Sequence, residues 1–114
     1  MIRLYGIRNC DTVKRSRAWL EERGIAYQFH DFKRDGLEPS QVRTWAVELG
    51  WQSLLNRRGT TWRRLPESLR ANLDEERAIE LMAEHPSLIR RPLLDTGQIR
   101  HLGFSETDYQ RLLG

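Results

Sequence analysis

Apolar residues along this chain change their spacing, and each change predicts an element. Ile2 and Leu4 alternate with polar neighbours, which predicts a short strand over residues 2–5. From Asp11 to Arg23 the period becomes helical: Val13, Ser16/Arg17 and Leu20 share one face, and Gly24 supplies the stop. Residues 25–32 alternate again, with Ile25, Tyr27 and Phe29 on one side, which predicts a second strand. Two strands joined by a helix of this length predict a βαβ unit with parallel strands and a right-handed crossover.

The next stretch is helical in pattern. Residues 33–38 predict a turn, and Pro39 opens a helix at a position where its missing N–H costs nothing. Val42, Trp45, Ala46 and Leu49 follow the i, i+3, i+4, i+7 spacing, and Gly50 ends the run. A short helix is expected over 51–56, a polar loop over 57–61, and a helical turn over 62–69 that Pro66 opens or breaks. Asp74, Glu75 and Glu76 complement the dipole of a further helix. Its inner face is Ala78, Leu81, Met82 and His85, and Pro86 stops it. Residues 92–102 then predict a hairpin around Thr96-Gly97. Ser105 with Asp108 resembles a capping box for the last helix, and Phe104 has staple spacing to Tyr109. The order β-α-β, helical insert, β-β-α predicts a single α/β domain. It fits a thioredoxin-like fold whose core is about 1–36 and 87–114, with an inserted all-helical lobe at about 37–86.

Composition narrows the class. One domain of 114 residues is large enough for a core without staples. No apolar run approaches the ~20 residues of a membrane span. Residues 1–4 enter structure directly, without a signal or transit pattern. A lone cysteine cannot form an internal disulfide, and an exposed reactive thiol persists in a reducing compartment. A cytoplasmic monomer is expected. His30, His85 and His101 are scattered and show no metal-ligand spacing, so no metal is expected. No phosphate-cradling glycine motif is present.

Net charge is +3, and 17 of the 19 basic residues are arginine, whose planar fork suits carboxylates and oxyanions. Trp45, Trp51 and Trp62 interleave with Arg43, Arg57, Arg58, Arg63 and Arg64, a pattern that could stack bases and bind phosphates. Trp45 falls on an apolar helix face, however, and the overall charge is modest. No nucleic-acid partner is expected.

The candidate chemistry lies at the start of the first helix. Cys10 follows a strand and a Gly6-containing turn, and the helix begins at once. A thiol there meets unsatisfied backbone N–H groups and the positive end of the helix dipole, which favour thiolate over thiol. Arg8, Lys14 and Arg15 add positive charge. The alternative is an inert cysteine acting as a small hydrophobe. A dithiol mechanism needs a second cysteine three residues on, and that position is Val13. Any resolving thiol must therefore come from outside.

The stretch Tyr5-Gly6-Ile7-Arg8-Asn9-Cys10-Asp11-Thr12-Val13-Lys14-Arg15 resembles the arsenate reductase/Spx/YffB family of thioredoxin-fold proteins, most closely the YffB branch. Residues 54–62, 85–92 and 99–104 agree with it in order and spacing, so the resemblance covers essentially the whole chain. It implies that Cys10 is the nucleophile and that Arg91 and Arg58 are catalytic. It implies a cis proline at Pro92 facing the cysteine. Asn9, Lys14, Arg57, Pro92 and Arg100 are the substrate-binding candidates, with the choice between Arg57 and Arg58 as the residue facing Cys10 left open. Arsenate reductases place three arginines around the cysteine, and the third falls here at Gly103, so arsenate is expected to be a poor substrate. The expected function is a thiol oxidoreductase that takes glutathione as co-substrate, or a thiol/disulfide partner protein. The alternatives are a Spx-like regulator that binds RNA polymerase without catalysis, and a degenerate arsenate reductase.

Overall fold

The structure, a computed structural model, describes residues 1–114. The chain divides into two compact units, Met1–Asp35 with Arg91–Gly114, and Gly36–Arg90.

The first unit holds a four-stranded sheet built from β1 (Ile2–Gly6), β2 (Tyr27–Asp31), β3 (Leu93–Asp95) and β4 (Arg100–Leu102), in the order β2-β1-β3-β4. β1 runs parallel to β2, with Leu4 opposite Phe29, and antiparallel to β3, with Leu4 opposite Leu94. β3 and β4 form the expected hairpin, Leu94 opposite His101. Between the parallel strands lies α1 (Asp11–Glu22), and the chain closes with α8 (Glu106–Leu113). Because side chains alternate along a strand, Ile2, Leu4, Phe29 and Leu94 share a face. That face is covered by Trp19 and Leu20 of α1 and Tyr109 of α8, with Phe104, Leu112 and Leu113 around them. Trp19 meets Tyr109 edge-on with centroids 5.5 Å apart, and Phe104 meets Tyr109 edge-on at 4.7 Å, as the staple spacing implies. The capping expectation also holds: Ser105 Oγ accepts from the Asp108 N–H at 3.0 Å. One polar link is sealed inside this core, where Ser16 Oγ and the Tyr109 hydroxyl lie 2.7 Å apart.

One turn differs from its prediction. Residues 32–35 are helical (α2, Phe32–Asp35), not a turn starting at 33. Asp31 ends β2 and caps this helix, its carboxylate accepting from the N–H groups of Lys33 (2.9 Å) and Arg34 (3.4 Å).

The second unit is helical throughout: α3 (Pro39–Leu49), α4 (Trp51–Leu54), α5 (Thr60–Arg64), α6 (Glu67–Arg70), α7 (Glu75–Glu84) and a 3-10 turn at Pro86–Leu88. α3 and α7 pack together through Val42, Trp45, Ala46, Ala78, Ile79 and Met82. Gly50 stops α3 with φ +88°, a conformation that favours glycine. Asp74 caps α7 by accepting from the Arg77 N–H. The expected loop over 57–61 is shorter than the polar run suggested, because Thr60 already opens α5; Pro66 then separates α5 from α6 as its N-cap. An isolated antiparallel bridge joins Leu55 to Ile89, with Asn56 N–H donating to Leu88 O at 2.7 Å and Arg90 N–H to Leu54 O at 2.8 Å.

Candidate active site

Cys10 is the N-cap residue of α1. Its backbone is extended (φ −130°, ψ 126°), and its carbonyl accepts the first helical hydrogen bond, from Lys14 N–H at 2.9 Å. Its thiol caps nothing and is half-buried. N–H groups in the first turn of a helix have no intrahelical acceptor, so an anion formed at this end meets a positive dipole.

Two contacts seat this helix start. Gly6, the last residue of β1, lies so close to Val13 that a Cβ built on it would meet Val13 Cγ2 at 2.8 Å. A side chain at residue 6 would therefore push α1 off the strand. Val13 itself has no exposed surface. The position a resolving cysteine would occupy is thus filled by a sealed hydrophobe. On the other side of the loop, Asp31 Oδ2 accepts from the Arg8 N–H at 3.3 Å, two residues before the cysteine. Asp31 is only 7% exposed. Burial pushes its carboxyl upward, yet the N–H groups of Lys33, Arg8 and Arg34 and the Arg8 charge outweigh that and hold it below its ordinary value.

The strand register places the remaining candidates. Tyr5 is opposite Leu93, so the end of β1 that leads to Cys10 lies beside the end of β3 that begins after Pro92. The Arg91–Pro92 bond is cis, as the resemblance implies, and Pro92 is buried. Arg91 is half-buried while Arg90 is exposed. Gly103 reaches the same end, its N–H donating to Pro92 O at 2.9 Å, with φ +84°. Asn9 and Lys14 flank the cysteine, and both are exposed.

Arg100 is not brought to this end. It pairs across the hairpin with Asp95, Nη1 to Oδ1 at 3.6 Å, and Asp95 is opposite Arg3 at the start of β1. The sheet therefore separates Arg100 from Cys10 by the length of β3. Arg57 and Arg58 belong to the helical unit, where both are exposed. The Arg57 guanidinium carbon lies 5.8 Å from the Trp51 ring centre and 5.7 Å from that of Trp62. The Arg58 N–H donates to Asn56 Oδ1.

The sequence reading missed Gly6 and Asp31. An aspartate ending an alternating run just before Phe32-Lys33-Arg34 is an N-cap signal, and it was legible. The approach of Gly6 to Val13 carries no such signal, because it depends on how α1 lies on the sheet. No group of three or more His, Cys, Asp or Glu side chains could hold a metal ion, and no helix is long and apolar enough to cross a membrane.

The same architecture occurs in solved structures. The YffB protein superposes with a TM-score of 0.96 at 47% identity, covering 100% of both chains. An arsenate reductase (ArsC) related protein from Brucella melitensis gives a TM-score of 0.79 at 44% identity, covering 96% of this chain and 92% of that one. Among curated relatives, the global transcriptional regulator Spx of Listeria innocua is 27% identical over 115 residues, covering 99% of this chain and 87% of its own. A model of the ArsC family matches residues 5–112. A thioredoxin-like sheet with a helical insert, a cysteine at the N-cap position of its first helix and a cis proline just before β3 are thus set in a chain that belongs to the ArsC family.

Proposed function

We propose that this protein is a monomeric, glutathione-dependent thiol oxidoreductase of a reducing, cytoplasmic compartment, working through Cys10 alone. The observation that carries the reading is the seat of that thiol: half-buried, at the head of α1, with fully buried Val13 three residues on.

In the proposed cycle, the Cys10 thiolate attacks the glutathione sulfur of a mixed disulfide. A Cys10–S–S–glutathione bond forms, and the substrate leaves as a thiolate that takes up a proton. A second glutathione thiolate then attacks the glutathionyl sulfur, releasing glutathione disulfide and regenerating the Cys10 thiolate. The substrate disulfide is reduced by two electrons, and two glutathione units leave as one disulfide. Asn9, Lys14, Arg91 and Pro92 would form the glutathione subsite. The family resemblance adds Arg58 or Arg57 as a candidate cation for a glutathione carboxylate. Arg100 is withdrawn from the subsite because Asp95 holds it at the far end of β3. With glycine at residue 103, a three-arginine oxyanion cage is incomplete, and arsenate should turn over poorly.

Mass spectrometry after treatment with glutathione disulfide tests the reading. One glutathione per chain should appear on Cys10, be removed by glutathione, and be absent in Cys10→Ser. Failure to form the adduct would refute it. Efficient arsenate reduction would replace it with arsenate reductase activity. The Spx relative favours a second reading, a regulator that acts by binding a protein partner without turnover. In that case Cys10→Ser would leave partner capture intact.

A further inference from the structure

The interleaved tryptophans and arginines of the sequence divide sharply in the structure. Trp45 is 1% exposed in the core, and Arg43 is committed to Glu76 through two bonds of 2.6 and 2.8 Å. Trp51 and Trp62, by contrast, each keep part of their surface in solvent. Between them lies the Arg57 guanidinium, within cation–π range of both rings. Arg63 joins the same surface, its Nη1 donating to Arg58 O at 3.1 Å. Arg57, Arg58, Arg63 and Arg64 are all exposed, and none forms an ion pair with a carboxylate.

Charge is concentrated here more than the whole-chain balance suggests. The segment Trp51–Arg70 holds five arginines and one glutamate, a net of +4 in a chain whose total is +3. The other residues carry 14 basic against 15 acidic groups, a net of −1. All of the excess positive charge therefore belongs to this one segment of the helical unit. Arg64, the residue after Arg63 and the last of α5, stands at the rim of a cleft of about 490 Å³, lined also by Thr61, Leu65, Pro66, Leu69 and His85. Beneath the patch, the Leu55–Ile89 bridge and the Asn56–Leu88 hydrogen bond fix the backbone.

We propose that this surface binds single-stranded nucleic acid, with Arg57, Arg58, Arg63 and Arg64 on phosphates and the Trp51 and Trp62 rings stacking bases. Unpaired arginines beside part-exposed indoles match a backbone-plus-stacking site, and the apolar cleft offers an unpaired base a place out of water. A duplex keeps its bases stacked on each other and presents them to neither indole. An acidic peptide would use the arginines and leave the rings idle. The glutathione reading uses Arg58 or Arg57 and none of Trp62, Arg63 and Arg64, so variants of these three test the surface independently of Cys10.

The experiment is fluorescence anisotropy of a labelled single strand of about ten nucleotides, titrated with the full chain between about 50 and 200 mM salt. Saturable binding is expected, with a log–log salt slope of about −3 for four phosphate contacts on a single strand. Arg63→Gln/Arg64→Gln should make that slope shallower by about 1.4. Trp62→Ala should weaken binding about fivefold or more, while Trp62→Phe, which keeps a ring, should bind nearly as wild type. Absence of saturable binding at the lowest salt would overturn the proposal. So would a slope unchanged in the arginine variant, or duplex binding as tight as the single strand. Competition by polyglutamate as effective as by unlabelled oligonucleotide would overturn it too, in favour of an acidic protein partner.

Discussion

Replacing Gly6 with alanine should loosen the seat of the cysteine-bearing helix. The new methyl would stand 2.8 Å from Val13 Cγ2 and 3.4 Å from Cγ1, and within the side chain only a change of the valine rotamer would clear the first contact. A β-branched residue in a helix is in any case stiff at χ1. Relief must come from moving α1, which drags Trp19 and Leu20 out of register with Leu4 and Leu94. Overpacking of this kind costs about 1–3 kcal/mol. Restricting the unfolded chain returns about 0.4–1 kcal/mol, so the net loss should be about 1–2 kcal/mol. Removing the valine methyls gives the control. Val13 Cβ lies 3.7 Å from the built atom, an ordinary contact, so Gly6→Ala should be neutral or slightly stabilising in a Val13→Ala background. Val13→Ala alone should cost about 2 kcal/mol through two lost buried methyls and the space they leave. Urea unfolding followed by far-UV circular dichroism gives all four corners of the cycle. A coupling of about 1.5–3 kcal/mol is expected, and additive effects would show that the two residues are not in the steric contact described.

Asp31→Asn should cost about 1–3 kcal/mol in urea, since three backbone N–H groups lose their carboxylate. The Asp31 carboxyl is held below its unfolded value of 3.8, so its stabilisation is present above that pH and lost as pH falls through the lower folded value. Below about pH 4 the wild type should therefore lose stability faster than Asp31→Asn. Tyr109 behaves in the opposite sense. Burial, only partly opposed by the Ser16 hydrogen bond, raises it from 10.0 to about 12, so its contribution is complete below pH 10 and lost as pH climbs towards 12. Alkaline unfolding followed by circular dichroism should be shallower there in Tyr109→Phe. Ser16→Ala should cost about 1–3 kcal/mol in urea by leaving the Tyr109 hydroxyl without its partner, and the Ser16→Ala/Tyr109→Phe pair should cost less than the two changes summed. For the proposed glutathione subsite, Arg91→Ala should weaken association by on the order of 1–3 kcal/mol in calorimetric titration, and exposed Arg90→Ala by much less; equal effects would remove Arg91 from the subsite.

What was legible in the sequence was whatever one element declares about itself. Alternation announced β1 and β2, Pro39 and Gly50 bracketed α3, and Ser105 with Asp108 opened α8. Asp31 was read as strand because its alternating neighbours spoke louder than its capping chemistry. The site divided along the same line. Cys10 at a helix start follows from local order, whereas the withdrawal of Arg100 depends on strand register. A hairpin of residues 92–102 can be read from its turn. Which of its ends lies beside the cysteine is set by Tyr5 pairing with Leu93, a contact between residues far apart in the chain. The tryptophans show the same limit: Trp45 was separable by its place on an apolar face, while Trp51 and Trp62 became distinguishable only by their exposure.

The hydrogen bond between Ser16 and Tyr109 also sets a schedule for synthesis. Its two residues are separated by 93 positions, and the serine emerges first. At about 5–20 residues per second, the ribosome needs on the order of 5–20 s after Ser16 to produce its partner. Leu94, the β3 neighbour of Leu4, arrives only slightly earlier. Throughout that interval the cysteine and the helix it heads lack the tyrosine and the strand that close their core. The thiol on this helix is thus most open to stray oxidation or capture before its chain is finished, and a nascent-chain alkylation time course would find it there.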